Sequence, residues 1–213
     1  MSWNENKGVR KMGTCFSHVY DPLMSPLEKK YIGGLRRKLI SGQTGNILEV
    51  GAGTGLNFPY YDQAEKVVAV EPDSSMREKS LARAQEARVL IELVEASGES
   101  LPFADDTFDA AVAALVFCTI PEPEQALREL SRVCKPGAPI LFLEHVRLEG
   151  PLGKLQDGLT PVWKKMCDGC HLNRDTISLV ENNFQMIRVE RHLKNIFVLM
   201  EAMNEKMSKL HTR

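Results

Sequence analysis

The sequence predicts an α/β protein built on a doubly wound, mostly parallel sheet. Short segments rich in Val, Ile, Leu and Ala alternate with longer segments in which apolar residues recur at helical spacing. The first apolar segment, 46–50, runs into a loop with glycines at 51, 53 and 55, and the second, 66–70, ends in Glu71. A buried strand, a glycine loop and an acidic residue after the next strand together indicate a nucleotide-binding sheet.

Seven strands are predicted, and they lie at 46–50, 66–70, 90–94, 108–118, 139–146, 184–191 and 195–200. Helical segments are predicted at 26–41, 57–61, 74–87, 123–133 and 175–183. Segment 108–118 is nearly all apolar, so both of its faces should be buried, as in the middle of a parallel sheet. Residues 147–175 carry several glycines and prolines and interrupt the alternation of strands and helices, which indicates an insertion.

Composition narrows the classes of protein that fit. A chain of 213 residues without a repeat or linker can bury one core, and a net charge of −1 offers no basic footprint for nucleic acid. The longest apolar run, 110–120, is too short to span a bilayer, and residues 1–10 lack the apolar centre of a signal peptide. We therefore expect a cytoplasmic monomer or homodimer whose five cysteines are reduced thiols.

The glycine loop suits a ligand that has a positive end and no phosphate. Dinucleotide folds usually carry Gly-x-Gly-x-x-Gly/Ala, but Leu56 occupies the last small position here. Glu49, two residues before the first glycine, would repel a diphosphate and would attract a cation or accept from an amine. Taken alone, the loop is also compatible with a glycine-rich turn that binds nothing.

Glu71 lies where the crossover after the first strand delivers a carboxylate to a ribose diol. Two hydroxyl donors would then meet two acceptor oxygens, each bond contributing roughly 1.5–3 kcal/mol. An exposed carboxylate at a strand end is the alternative for this position.

Five motifs, taken together, resemble class I S-adenosylmethionine-dependent methyltransferases in their order and spacing. The motifs are Glu49 to Gly55, Glu71-Pro72-Asp73, Ala96 to Phe103, Thr107-Phe108-Asp109 and Val133 to Gly137. The pattern, over about residues 15–200, is most similar to ubiquinone/menaquinone-type methyltransferases and methyltransferase-like thiol methyltransferases. The resemblance implies a Rossmann-like seven-stranded sheet with one antiparallel strand, S-adenosyl-L-methionine as cofactor and S-adenosyl-L-homocysteine as product.

The resemblance also implies which residues hold the cofactor. Glu49 would face the methionine ammonium group and Glu71 the ribose. Ser97 and the Gly98 amide would hold adenine, although many relatives have aspartate where Ser97 stands. Met76 would pack against adenine or belong to the core. The full set of predicted cofactor contacts is Tyr20, Glu49, Gly51, Ala52, Gly53, Gly55, Asn57, Glu71, Pro72, Met76, Ser97, Gly98, Glu99, Leu115, Val116 and Cys118.

Two residues are candidates for catalysis. His145 ends the fifth strand at the edge where parallel sheets bind ligands, and an imidazole there could take a proton from the acceptor, or it could be a structural histidine. Tyr20 is the second candidate base; by resemblance it would cover the methionine part of the cofactor, and an ordinary packed tyrosine is the alternative. Cys118 is predicted to be a small wall residue, because nothing near it in the sequence offers a base.

The insertion ends in Cys167-Asp168-Gly169-Cys170-His171. Cys-x-x-Cys-His also marks haem attachment, but that chemistry needs an export route that this amino terminus does not indicate. A zinc site would need two further ligands at short spacing and only His171 is local, so no metal is predicted. The resemblance implies that Gly-Cys-x-Leu-x-Arg, residues 169–174, helps to close the active site. Asn173 is the predicted cap of the next helix.

These predictions divide a single domain, 1–213, into four parts. A helical lid (1–45) precedes the cofactor-binding core (46–145), the acceptor-site insertion (146–175) and a terminal helix with a strand pair (176–213). The expected reaction is methyl transfer to a small-molecule acceptor, which could be a thiol, a quinone-like ring or a lipid amine. A nicotinamide dehydrogenase, which Glu49 and Leu56 disfavour, and a non-catalytic nucleotide-binding protein are the rivals from other classes.

Overall fold

The structure is a computed structural model that describes residues 21–22, 25–167 and 169–206. Tyr20, most of the amino-terminal part of the predicted lid and the carboxyl-terminal tail lie outside the described residues. No helix within these ranges is long and apolar enough to cross a membrane.

Seven strands form one sheet, and their bounds are β1 Thr44–Val50, β2 Gln63–Val70, β3 Leu90–Val94, β4 Ala110–Ala114, β5 Pro139–His145, β6 Gln185–His192 and β7 Phe197–Met203. Their spatial order is β3-β2-β1-β4-β5-β7-β6. The first five strands are parallel, whereas β7 runs antiparallel to both β5 and β6. The predicted seven-stranded, mostly parallel sheet with one antiparallel strand is therefore confirmed.

The helices are α1 Gly33–Ile40, α2 Ser74–Glu86, α3 Pro123–Val133, α4 Gly150–Met166 and α5 Thr176–Glu181. A π-helical turn, Glu28–Ile32, precedes α1, and a 3-10 turn, Phe58–Tyr60, follows the glycine loop. Asp73 caps α2 by accepting from the Met76 amide. The predicted cap of α5 was wrong: Asp175 accepts from the Ser178 amide, while the Asn173 side chain donates to Asp157 instead.

Helices cover both faces of the sheet. Successive side chains of a strand point to opposite faces, so Leu48 and Val50 pack in one apolar layer and Ile47 packs in the other. The first layer includes apolar residues of α3 and α5, and the second includes apolar residues of α1. This arrangement is the doubly wound architecture that the alternation in the sequence predicted.

Strand β4 is shorter than the predicted segment 108–118. It ends at Ala114 because Leu115 has a φ of 57°, in the left-handed region, which extended backbone does not use. The Leu115 amide donates to the Leu143 carbonyl at 2.7 Å, and this bond to β5 holds the turn. A bulky residue in this conformation costs about 1–3 kcal/mol, which the surrounding contacts must offset.

The insertion is not irregular, because residues 150–166 form α4. Pro151 lies in its first turn, where a missing N–H costs no helical hydrogen bond. One stripe of this helix is apolar and exposed, with relative exposures from 50 to 69%. Its members, spaced alternately by three and four residues, are Leu152, Leu155, Leu159, Val162 and Met166. This spacing was the helical signal in the sequence, and the glycines and Pro161 obscured it.

Candidate active site

The glycine loop closes on β2 and leaves part of its backbone open. Gly51, Gly53 and Gly55 have φ values of 69°, 55° and 81°, which favour glycine. The amides of Gly51 and Ala52 both donate to the Val70 carbonyl, at 2.9 and 3.1 Å. A Cβ on Gly53 would meet no atom within 4 Å. The loop is thus anchored at its start and presents bare backbone to a ligand further along.

Glu71 connects the end of β2 to this loop. One carboxylate oxygen, Oε2, accepts from the Gly53 amide at 2.9 Å, and Oε1 accepts from the Asp73 amide at 3.0 Å. The side chain is buried, and burial raises the pKa of Glu71 although both amides oppose the rise. Each carboxylate oxygen keeps a further lone pair, so the group can still accept from the two hydroxyls of a ribose.

Glu49 is only 1% exposed and ties β1 to the residues after the loop. Its Oε1 accepts from Asn57 Nδ2 at 3.0 Å and its Oε2 accepts from the Tyr61 hydroxyl at 2.7 Å. Asn57 Oδ1 in turn accepts from Arg36, which pairs with Glu28 at 2.7 Å. Burial raises the pKa of Glu49 to about 7. Sequence reasoning placed Glu49 and Asn57 together in the site but missed Arg36 and Tyr61, whose contacts arise only in the fold.

The predicted adenine region lies beside the ends of β1 and β3. A Cβ on Gly98 would come within 2.9 Å of Val50 Cγ1, so glycine lets this segment pack against β1. The Glu71 amide donates to the Val94 carbonyl at 3.1 Å, which brings the end of β3 to the predicted ribose site. The Ser97 hydroxyl donates to the Glu99 carboxylate, so an acidic group stands next to the serine that was predicted to hold adenine.

Among the other predicted contacts, Met76 is buried and its amide is held by Asp73, which caps α2 directly after Pro72. Val116 lies against the glycine loop, because a Cβ on Gly51 would come within 2.1 Å of Val116 Cγ2. The structure therefore brings together the loop, Glu71 and the turn after β4, as the sequence predicted for a shared edge of the sheet.

A second group of side chains lies at the carboxyl ends of β4 and β5. A ring nitrogen of His145 and the sulfurs of Cys118 and Cys170 lie within 4.8 Å of one another. We call these three residues the thiol–imidazole cluster. His145 Nε2 is 3.3 Å from Cys170 Sγ, and the His171 amide donates to the Cys118 carbonyl at 2.8 Å. No base lies near Cys118 in the sequence. The pairing of β4 with β5 nevertheless brings a histidine next to it.

The cluster is electrostatically asymmetric. A hydrogen bond from Cys118 and the neighbouring His145 lower the pKa of Cys170 to about 5. A hydrogen bond from the Trp163 indole contributes to this decrease. The Cys170 sulfur and burial raise the pKa of Cys118 well above its usual value. Burial alone would lower the pKa of His145, but Cys170 outweighs burial and raises it. The Cys170 thiol therefore ionises more readily than the Cys118 thiol.

Two charged residues fix the turn that carries Cys118. Glu144 Oε1 accepts from the amides of Val116 and Phe117, at 3.1 and 3.0 Å, and burial raises the pKa of Glu144 to about 7. Its Oε2 is buried and has no hydrogen-bond partner among the described residues. Arg174 donates to the carbonyls of Phe117 and Ile120. The sequence placed Arg174 in the predicted closing segment without a role, and the contacts of Glu144 arise only in the fold.

A glycine loop after β1, a carboxylate after β2 and a sheet whose last strand is antiparallel define the class of S-adenosylmethionine-dependent methyltransferases. Residues 48–142 match a family model described as "Methyltransferase domain". The human thiol S-methyltransferase TMT1A is 31% identical over 183 residues, which cover 82% of this chain and 74% of the relative. The chain therefore belongs to this methyltransferase family, and S-adenosyl-L-methionine is the family's cofactor.

Other similar proteins carry different names. The rat thiol S-methyltransferase TMT1B is 38% identical over 151 residues, covering 68% of this chain and 62% of the relative. A phosphatidylethanolamine N-methyltransferase of Cereibacter sphaeroides is 32% identical over 123 residues, covering 56% and 61%. The chain thus spans less than two thirds of these two relatives. The structure of a SAM-dependent methyltransferase from Aquifex aeolicus has the same fold, with a TM-score of 0.61, 20% identity and coverage of 91% and 99%.

Proposed function

We propose that this chain transfers the methyl group of S-adenosylmethionine to the sulfur of a small, apolar thiol. The observation that carries the proposal is the thiol–imidazole cluster, which lies at the sheet edge where parallel strands bind their ligands. Two of the relatives reported above are named as thiol S-methyltransferases, and this supports sulfur rather than carbon or nitrogen as the acceptor atom.

The chain's own residues would hold the cofactor by the contacts described above. The open backbone at Gly53 and the carboxylate of Glu71 fit its nucleoside part, and the carboxyl group of Glu49 is the proposed acceptor for its ammonium end. The cofactor supplies a methyl group that is already activated by a sulfonium. The protein's main task is therefore orientation, which can lower a barrier by about 7–11 kcal/mol.

The acceptor sulfur must lose its proton to become a good nucleophile. Cys170 touches His145 and raises the pKa of its imidazole, so the imidazole is placed to take up the proton of a thiol that binds beside it. Glu144 and Arg174 keep the Cys118 turn in place on the inner side of the cluster. These residues accordingly position and deprotonate the acceptor.

The surface next to the cluster favours an apolar acceptor. Trp163 is bonded to Cys170 through its indole N–H and belongs to α4, whose apolar stripe is exposed. Val162 and Met166 of that stripe are the nearest members to Trp163 in the sequence. An alkyl or aryl body on the acceptor would cover this apolar surface, and burial of each CH₂ group contributes about 0.8 kcal/mol.

A labelled-methyl assay over three classes of acceptor tests the proposal. The full-length chain is incubated with methyl-labelled S-adenosylmethionine and, separately, with alkyl and aryl thiols, with quinols and with phosphatidylethanolamine. We expect label in thioethers alone, lost in Cys170→Ser and retained in Cys167→Ser, since Cys167 is outside the cluster. Label in quinols or phosphatidylethanolamine without label in any thioether would overturn the proposal.

A further inference from the structure

We propose that Cys118, His145 and Cys170 form a zinc-binding site with three protein ligands and one open coordination position. The site is the thiol–imidazole cluster itself, and the identity of the ligand in the open position rests on the proposed function. This proposal departs from the sequence analysis, which predicted no metal because only His171 lies near the two cysteines of Cys-x-x-Cys.

The geometry of the cluster fits one ion. Its two sulfurs and the ring nitrogen all lie within 4.8 Å of one another, and the His145 to Cys170 separation is 3.3 Å. Tetrahedral zinc with Zn–S of about 2.3 Å and Zn–N of about 2.0 Å places its ligand atoms roughly 3.5–3.8 Å apart. Shifts of the side chains alone can therefore close the three atoms around a zinc ion.

The donor set also selects the metal. Two cysteine sulfurs with one imidazole suit zinc, whereas calcium and magnesium require oxygen ligands. Structural zinc sites use four protein ligands, but catalytic sites use three and leave the fourth position for water or substrate. In the described residues no fourth cysteine, histidine or carboxylate joins the cluster, so its composition is that of a catalytic site.

Each ligand is held by an element that other contacts fix. Cys118 follows the turn bound by Glu144, His145 is the last residue of β5, and Cys170 is tied to the Cys118 segment through His171. The Trp163 indole N–H lies against the Cys170 sulfur, in the role of the hydrogen-bonding groups that commonly orient metal ligands. Such a site forms with the fold and needs little rearrangement on metal binding.

Burial leaves one side of the site available. Cys118 is 3% exposed, while His145 and Cys170 are half-buried. The ion would therefore have Cys118 on its inner side and its open position toward the outer side, where an acceptor arrives. Cys167, the first cysteine of Cys-x-x-Cys, is outside the cluster, so the site is assembled from three separate segments and is not a local zinc knuckle.

The open position gives the metal a chemical role. With zinc bound, His145 is a ligand and the ion takes over the task of ionising the acceptor. A thiol that binds at the open position breaks its S–H bond, releases the proton to solvent and forms a Zn–S bond as a thiolate. Methylation of that sulfur converts the thiolate to a neutral thioether, which is a weaker zinc ligand and leaves the ion. Zinc would thus hold the acceptor sulfur in its nucleophilic form at the edge of the sheet where the methyl group is delivered.

Metal titration of the full-length chain tests the site. The protein is stripped with a chelator and titrated with Zn²⁺ by calorimetry and with Co²⁺ by absorption. We expect one ion per chain and cobalt bands typical of tetrahedral thiolate coordination. The affinity for Zn²⁺ should fall at least about tenfold in Cys118→Ser, His145→Ala and Cys170→Ser. Changes to residues that only support metal ligands already produce losses of that size. Cys167→Ser should bind as the native chain does.

The result that overturns the site is a native chain that binds the cofactor product, and is therefore folded, but shows no cobalt–thiolate band. This readout on the native chain stands even if a cluster variant does not fold. Addition of an alkyl thiol to the cobalt form should change the absorption, as expected for a fourth ligand. If the chain binds the metal but methylates only amines or quinols, the thiol proposal is wrong and the metal site is still supported. If metal-free protein methylates thiols at an unchanged rate, zinc has no catalytic role.

Discussion

The Nε2 atom of His145 lies 3.3 Å from the Sγ atom of Cys170, and this contact joins the end of β5 to the segment after α4. Neither residue makes a hydrogen bond to the glycine loop or to Glu71 in the described structure. The residues proposed to hold the acceptor thus share no hydrogen bond with those proposed to hold the cofactor, and the two groups can be altered separately.

We expect His145→Ala to impair methyl transfer without weakening cofactor binding. Loss of a group that takes part in proton transfer typically slows catalysis by about 10²–10⁴-fold. Turnover with a thiol and calorimetric titration with S-adenosylhomocysteine measure the two effects independently. A parallel loss of affinity for S-adenosylhomocysteine would show that His145 supports the whole site, contrary to this separation.

Replacement of Glu71 should weaken cofactor binding, in contrast to replacement of His145. Glu71→Ala removes both carboxylate acceptors, so we expect affinity for S-adenosylmethionine to fall by roughly tenfold or more, in line with the strength of charged hydrogen bonds. Glu92→Ala is the matched control, because Glu92 lies on neighbouring β3 and is exposed. Calorimetry that finds native affinity in Glu71→Ala would remove this residue from the ribose site.

Gly51→Ala should destabilise the fold more than Gly137→Ala does. Both glycines have left-handed φ values, 69° and 77°, but only at Gly51 would a Cβ collide with Val116, at 2.1 Å from its Cγ2. A Cβ on Gly137 meets nothing within 4 Å. Overpacking of this kind costs about 1–3 kcal/mol beyond the shared backbone strain. Urea unfolding of the two variants measures the difference, and equal losses would mean that the Val116 contact can relax.

Glu49 should make the stability of the protein depend on pH. Its pKa rises from 4.5 to about 7 on folding, so the protonated carboxyl favours the folded state. That contribution is complete below pH 4.5 and is lost as the pH rises through 7. It amounts to roughly 3 kcal/mol, since one pKa unit corresponds to about 1.4 kcal/mol. Between pH 5 and 8, the free energy of unfolding should therefore fall further in the native chain than in Glu49→Gln.

The buried Glu144 also has a pKa of about 7, so both proteins share its pH dependence and only their difference reports on Glu49. Urea titrations at pH 5 and pH 8 provide the four free energies that are needed. Identical pH dependence in the two proteins would mean that Glu49 is ionised throughout and that Asn57 and Tyr61 offset its burial.

Local signals were sufficient for much of the fold. Strand β3 and helix α3 have the predicted bounds. Pro123 begins the helix, and Pro136 and Gly137 follow closely after its last residue and prevent it from continuing. The end of β4 at Ala114 could not be predicted in this way. It depends on a left-handed Leu115 that is bonded to Leu143, and no property of Leu115 itself indicates that conformation.

The two groups of site residues also differ in how far local sequence signals predict them. Glu71 and the glycines lie next to strands with clear patterns, so their positions at one edge of the sheet could be predicted from sequence. Cys118 and Cys170 come from separate segments, and the partners of Glu49 likewise lie outside β1. Spacing along the chain carries no information about such contacts, which arise from the pairing of β4 with β5 and from the packing of α4.

The central claim is that the chain methylates a thiol at the cluster beside the ends of β4 and β5. Its most direct test is a single-turnover reaction in which enzyme preloaded with methyl-labelled S-adenosylmethionine is mixed with an alkyl thiol, for the native chain and for Cys170→Ser. We predict labelled thioether with the native chain and a large loss of rate in the variant, although both retain the bound cofactor. Native chain that holds the cofactor but forms no thioether, or a variant that forms it at the native rate, would contradict the claim.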